Sequence, residues 1–219
     1  MTTHIRPDRR SLLLAGAMGL LMPGLAIAQR SDGPDKVSVE DLMKPGPLPD
    51  LVLGKADAPV TVVEYASLTC GHCATFHNKS FPAIKEKLID TGKIKFILRE
   101  FPLDNLAAAA AMLARCAGGD KTYPLTEVLF QKQDEWAFVR TNPVPELFKI
   151  AKQAGFTQET FDKCLTDQKL LDNIMAIRER ASKDFGVNST PSFFVNGVRL
   201  RKPATVESIE AAIAAQAKN

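Results

Sequence analysis

The clearest chemistry in this sequence lies in Cys70-Gly71-His72-Cys73. Two cysteines three positions apart can close on each other as a disulfide or share a metal ion. The run 60–65 just before them is mostly apolar, as a central strand is, and residues 74–88 read as helix. A strand that delivers Cys-x-x-Cys to a helix start is a redox arrangement. The first four N–H groups of a helix lack intrahelical acceptors, and the aligned peptide dipoles place partial positive charge there. A sulfur at that end is stabilised as thiolate, the nucleophile of disulfide exchange. Cys70, nearer the helix end, is the expected attacking sulfur and Cys73 the resolving one. His72 between them offers a donor or, once protonated, a charge.

A metal site is the competing reading, because Cys73 and His77 fall four apart on one helix face. Cys70, Cys73 and His77 could hold copper or zinc, but a zinc site needs a fourth ligand and the chain has no second Cys-x-x-Cys to supply one. Glu64 lies six residues before Cys70, near the end of the expected strand. Buried there, its carboxylate is desolvated, its pKa rises, and it can take or give a proton during exchange. Pointing outward, it is an ordinary strand-end glutamate.

The elements that position these residues follow from pattern and punctuation. Arg6, Arg9 and Arg10 precede an apolar run over 12–22 and the small-residue site Ala26-Ile27-Ala28, so residues 1–28 read as a secretory signal cleaved after Ala28. Arg9-Arg10-Ser11-Leu12-Leu13 hints at the twin-arginine route. Cleavage would lower the net charge from +3 to +1 and leave His72 and His77 as the only histidines. A chain so nearly neutral suggests no nucleic-acid partner. No later apolar run is long enough to span a bilayer, so a soluble periplasmic protein is expected, where disulfides persist. Residues 29–58, rich in proline, read as an extended lead-in with a short edge strand over 51–53.

Residues 60–65 and 93–99 are the first two core strands, joined by a helix that Phe81-Pro82 breaks or kinks. From Asp104, a helix cap, to Phe185 the pattern is helical throughout: 106–117, 122–136, 144–154, 157–166 and 168–185, with stops at Gly118, Gly155 and Gly186. Residues 104–186 are thus a helical insertion between two parts of one α/β domain, 59–103 and 187–219. Cys116 and Cys164 lie on different helices of it. An even cysteine count in an exported protein favours pairing, while two buried free thiols are the alternative. After Thr190-Pro191, strands over 193–195 and 198–200 are joined by Asn196-Gly197, a strong hairpin signal. Thr205 caps a closing helix.

The order of strand, Cys-x-x-Cys, helix, strand, Thr-Pro, hairpin and helix resembles the thioredoxin superfamily, and the helical block resembles its DsbA-like branch. The residues that carry the likeness are Glu64-Tyr65, Cys70 to Cys73 with Phe76, and Thr190 to Gly197. The resemblance implies a thioredoxin fold with an inserted all-helical domain and a cis Pro191 beside the sulfurs. It also implies a Thr190 backbone that pairs with extended substrate, a buried acid at Glu64, and a structural Cys116–Cys164 bridge. The activity implied is that of an exported thiol:disulfide oxidoreductase, without cofactor or metal and monomeric. It would act on folding proteins with cysteines and be reoxidised by a DsbB-type, quinone-linked membrane oxidase. Gly71-His72 in place of Pro-His, and Thr190 before the proline, match isomerase-like members instead, so an isomerase or reductase kept reduced by a membrane donor is the second reading. A peptide-binding chaperone is a third.

Overall fold

The computed structural model describes residues 33–217. The proposed signal segment lies outside these residues, as does the last pair. The proline-rich lead-in is not wholly extended: it carries a five-residue helix, α1 (Val39–Met43), capped by the Ser38 hydroxyl, before strand β1 (Leu51–Leu53). That helix has no periodic signature, and it is held instead by Leu42, buried against the sheet.

Strand β2 (Val60–Ala66) leads through residues 67–70 into α2 (Gly71–Thr75). A π-helical turn (Phe76–Ser80), α3 (Phe81–Ile84) and a second π turn (Lys85–Ile89) continue the same helical run. Pro82 therefore does not break the helix as its type suggests. It falls in the first turn of α3, after a π turn has already shifted the hydrogen-bond register, so its missing N–H removes little. Strand β3 (Ile94–Glu100) returns parallel to β2.

The helical block follows as α4 (Asn105–Ala117), α5 (Thr122–Gln131), α6 (Gln133–Trp136), α7 (Val144–Gln153), α8 (Gln158–Leu165) and α9 (Gln168–Phe185). Asp104 caps α4 by accepting from the Ala107 N–H at 2.8 Å, and Gly186 ends α9 in the left-handed conformation at φ 64°. The expected helix over 122–136 is interrupted at Lys132. Strands β4 (Ser192–Val195) and β5 (Val198–Arg199) form the hairpin, with Asn196 and Gly197 both at positive φ, and α10 (Val206–Gln216) closes the chain behind a Thr205 cap.

The sheet order is β1-β3-β2-β4-β5, with only the β2–β3 pair parallel. Both faces are covered. Val62, Phe96, Phe193 and Val195 pack with the α2–α3 run and the helical block on one side; Val63, Tyr65, Ile97 and Phe194 pack with α1 and the end of α9 on the other. On that second side Arg99 fastens the lead-in. It pairs with both oxygens of Asp50 at 2.7 and 2.8 Å and donates to the Leu42 carbonyl and the Tyr65 hydroxyl at 2.7 and 3.0 Å. This is a thioredoxin fold with a helical region carried between β3 and β4.

Candidate active site

Side chains alternate across a strand, so in β2 the even positions share one face. Val62 puts that face against the α2–α3 run, and Glu64 lies on it in the middle of the sheet, with Leu98 and Phe193 as its neighbours across the ladder. The carboxylate is fully buried. Cys70 is the residue that caps α2, and Gly71, His72 and Cys73 form its first turn.

The two sulfurs are driven apart in acidity. Cys70 is pulled down to about 5, first by the hydrogen bond it accepts from the Cys73 thiol, then against the cost of burial by the Thr190 side chain and the main-chain N–H groups of Cys73 and His72. None of those N–H groups makes a full capping hydrogen bond, so the helix end acts here as a favourable field rather than a clamp. Cys73 is pushed far above the ordinary thiol range by burial, then by the bond it gives to Cys70 and by the charge of Glu64. The surroundings favour a thiolate at Cys70 and a protonated thiol at Cys73.

The Thr190–Pro191 peptide bond is cis. When protonated, Cys70 Sγ donates to the Thr190 carbonyl at 3.2 Å, and the buried Thr190 hydroxyl, which makes no full hydrogen bond among the described residues, is left to turn toward the Cys70 thiolate. His72 is exposed and acts on Cys70 through its main chain. It lines a groove of about 430 Å³ with Phe76, Pro191, Phe193 and Leu200. An added side chain at Gly71 would meet nothing within 4 Å, so packing does not demand glycine there.

His77 does not join the cysteines as a ligand. Its Nε2 is 3.0 Å from Glu64 Oε2 and its Nδ1 is 2.7 Å from Glu127 Oε1, and Phe130 stacks on the ring at 4.2 Å. Among the described residues no group of three His, Cys, Asp or Glu side chains is arranged to hold a metal ion.

Sequence patterns do not reveal Glu127 or Gln133, because both reach the site from the helical block. Gln133, buried at the start of α6, donates to the carbonyls of Leu68 and Cys70 at 2.6 and 3.1 Å and holds the loop that leads into Cys70. Thr69 Oγ1 donates to Asp104 at 2.7 Å and ties the same loop to the cap of α4. Cys116 and Cys164 are joined, bridging α4 to α8 across a separation of 48 residues.

A dithiol at a helix start, backed by a buried acid and faced by a cis proline, is the arrangement a thioredoxin-type redox centre would need. The family model described as Thioredoxin matches residues 48–215. A Rickettsia bellii protein that carries the name of a protein-disulfide oxidoreductase is 40% identical over 166 residues, 75% of this chain and 63% of its own length. The chain thus spans less than two thirds of that relative. The crystal structure of Wolbachia pipientis alpha-DsbA1 superposes with a TM-score of 0.72 at 34% identity, covering 82% of this chain and 95% of that one. Oxidised BdbD from Bacillus subtilis superposes at 0.67 with 26% identity, covering 85% and 100%. The chain belongs to the thioredoxin family, in its DsbA-like branch.

Proposed function

We propose that this chain is an exported thiol:disulfide oxidoreductase that gives its Cys70–Cys73 disulfide to folding proteins. The observation that carries the proposal is the split between the two thiols, because a Cys70 ionised near 5 makes the reduced site a stable product of disulfide donation. A substrate thiolate attacks Cys70 Sγ, the Cys70–Cys73 bond breaks, and a mixed disulfide forms. A second substrate thiolate attacks the substrate sulfur and releases Cys70. The substrate loses two electrons to the cysteine pair.

Substrate is held as an added strand against the Thr190 backbone beside Pro191, with neighbouring side chains in the groove past His72 and Phe76. The Cys116–Cys164 bridge serves structure only. The basic, then apolar segment up to Ala28 supports export to the periplasm and cleavage there, and among the described residues no helix is long and apolar enough to cross a membrane. The partners are cysteine-containing exported proteins and a DsbB-type, quinone-linked membrane oxidase, and the enzyme works as a monomer.

Two experiments test this. A Cys73→Ala variant should accumulate substrate mixed disulfides through Cys70; a chaperone that merely binds peptides would trap none. A glutathione titration of the Cys70–Cys73 pair should give a potential near the roughly −120 mV of DsbA-type donors, and a value near about −270 mV would make it a reductase. Gly71-His72 and Thr190 favour the second reading, an isomerase, for which the titration should stop near about −180 mV.

A further inference from the structure

We propose that Glu64, His77 and Glu127 form a proton relay that carries the Cys73 proton between the sealed interior and solvent. The inference rests on the oxidoreductase reading above and assigns positioning roles to two residues outside the cysteine motif. Three observations carry it.

The first is continuity. Both ring nitrogens of His77 are engaged by carboxylates from opposite sides, Glu64 from β2 and Glu127 from α5, at 3.0 and 2.7 Å. Each contact is a hydrogen bond along which a proton can move. An imidazolium donating both ways, and a neutral imidazole accepting from a protonated Glu64, differ only by one proton shifted along the Glu64–His77 hydrogen bond.

The second is the gradient of exposure. The Glu64 and His77 side chains are sealed, at 0% and 1% exposure, while Glu127 is 20% exposed and is where the chain meets water. The third is the open end. Glu64 Oε1 is buried with no hydrogen-bond partner among the described residues, an arrangement that costs free energy and leaves that oxygen open to a proton donor. Phe130 stacked at an interplanar angle of 8°, with Phe76 edge-on, fixes the ring so that both contacts persist.

The titratable groups facing His77 are Glu64 and Glu127, with the buried Tyr123 near both carboxylates and Cys70 and Cys73 beyond Glu64. Burial opposes the charge on His77, yet the two carboxylates push it up to about 9; burial raises Glu64, with His77 opposing.

The balance of the step is simple. When the Cys70–Cys73 bond breaks, Cys73 leaves as a thiolate and takes one proton from Glu64, which is resupplied through His77 and Glu127. When the pair is reoxidised, Cys73 returns that proton along the same path before it attacks the mixed disulfide at Cys70.

The test follows the two steps of oxidation by oxidised glutathione, using acid quenching and mass spectrometry of the reduced protein. The first step, attack by Cys70, needs no relay; the second, ring closure by Cys73, does. In His77→Gln the closure rate near neutral pH should fall roughly tenfold, less than the ~10²-fold of a direct proton donor, while the first step stays within about twofold. The closure profile should move to higher pH, and the Cys70–glutathione adduct should accumulate. Glu127→Gln, which keeps a hydrogen-bonding group at the partly exposed end, should give the same split and serves where the buried change costs the fold. An unchanged closure profile in both variants, or equal slowing of both steps, overturns the relay and leaves the cluster a structural ion pair. A wild-type protein that forms no glutathione adduct at all takes the oxidoreductase reading down with it, an outcome distinct from the loss of the relay alone.

Discussion

At the start of α2 two thiols of identical chemistry are sent in opposite directions, and their surroundings account for the split. Cys70 has helix N–H groups, the Thr190 side chain and the Cys73 thiol on its side; Cys73 has apolar walls and the Glu64 charge. Absorbance of the thiolate near 240 nm should titrate with a midpoint close to 5 in the wild type, and Thr190→Val, which deletes the hydroxyl, should move it upward. A wild-type midpoint in the ordinary thiol range would remove the basis for disulfide donation. Stability carries the same signature. In the reduced protein Cys70 ionises near 5 when folded and near 9.0 when unfolded, so the unfolded chain binds one more proton across that window and stability rises with pH. The contribution is complete above the unfolded value and is lost as pH falls through 5. In the oxidised protein neither sulfur titrates. Thermal unfolding of both forms at several pH values should therefore show the reduced form gaining on the oxidised one between 5 and 9; a constant difference would contradict the lowered thiol. The cysteines, His72, Glu64 and Thr190-Pro191 can be read from sequence because each belongs to a short local pattern. Glu127 and Gln133 cannot, since their partners are 50 and 63 to 65 residues away and no spacing rule links them.

Elements that repeat a period are legible in the chain, and those set by tertiary demand are not. The hydrophobic run of β2, the Asn196-Gly197 turn and the bounds of α9 follow from pattern and stop residues. The break between α5 and α6 has no glycine or proline behind it. Trp136 Nε1 donates to the Leu129 carbonyl at 2.9 Å, and Gln133 turns to the loop before α2, so contacts outside the helix settle where it ends. Helix α1 and β1 are similarly placed by Arg99, which reaches Leu42, Asp50 and Tyr65 from β3. Arg99→Met removes the guanidinium and leaves Asp50 and the Leu42 carbonyl without their buried donor. It should cost about 3–5 kcal/mol, read from the midpoint of urea unfolding. A change below about 1 kcal/mol would mean that the lead-in is not fastened there, since that is the range of an exposed ion pair.

Across the whole molecule the helical region is held to itself by the Cys116–Cys164 bridge and to the redox loop by side chains. Closing a loop of 48 residues stabilises by about 4 kcal/mol in the chain-entropy model. Replacing both cysteines by alanine should lower Tm by roughly 8–16 °C for a domain of this size. The Cys70–Cys73 potential should stay where it was; a shift in it would assign that bridge a redox role. The sheet order has a consequence for synthesis. Strand β2 is paired on one side by β3, which follows directly, but on the other by β4, and the chain makes about 90 mostly helical residues between the two. At the usual ~5–20 residues per second, one edge of the central strand stays open on the ribosome for roughly 5–18 s. An open, apolar strand edge is a template for wrong pairing. That edge closes only when residues 192–195 emerge and pair with it.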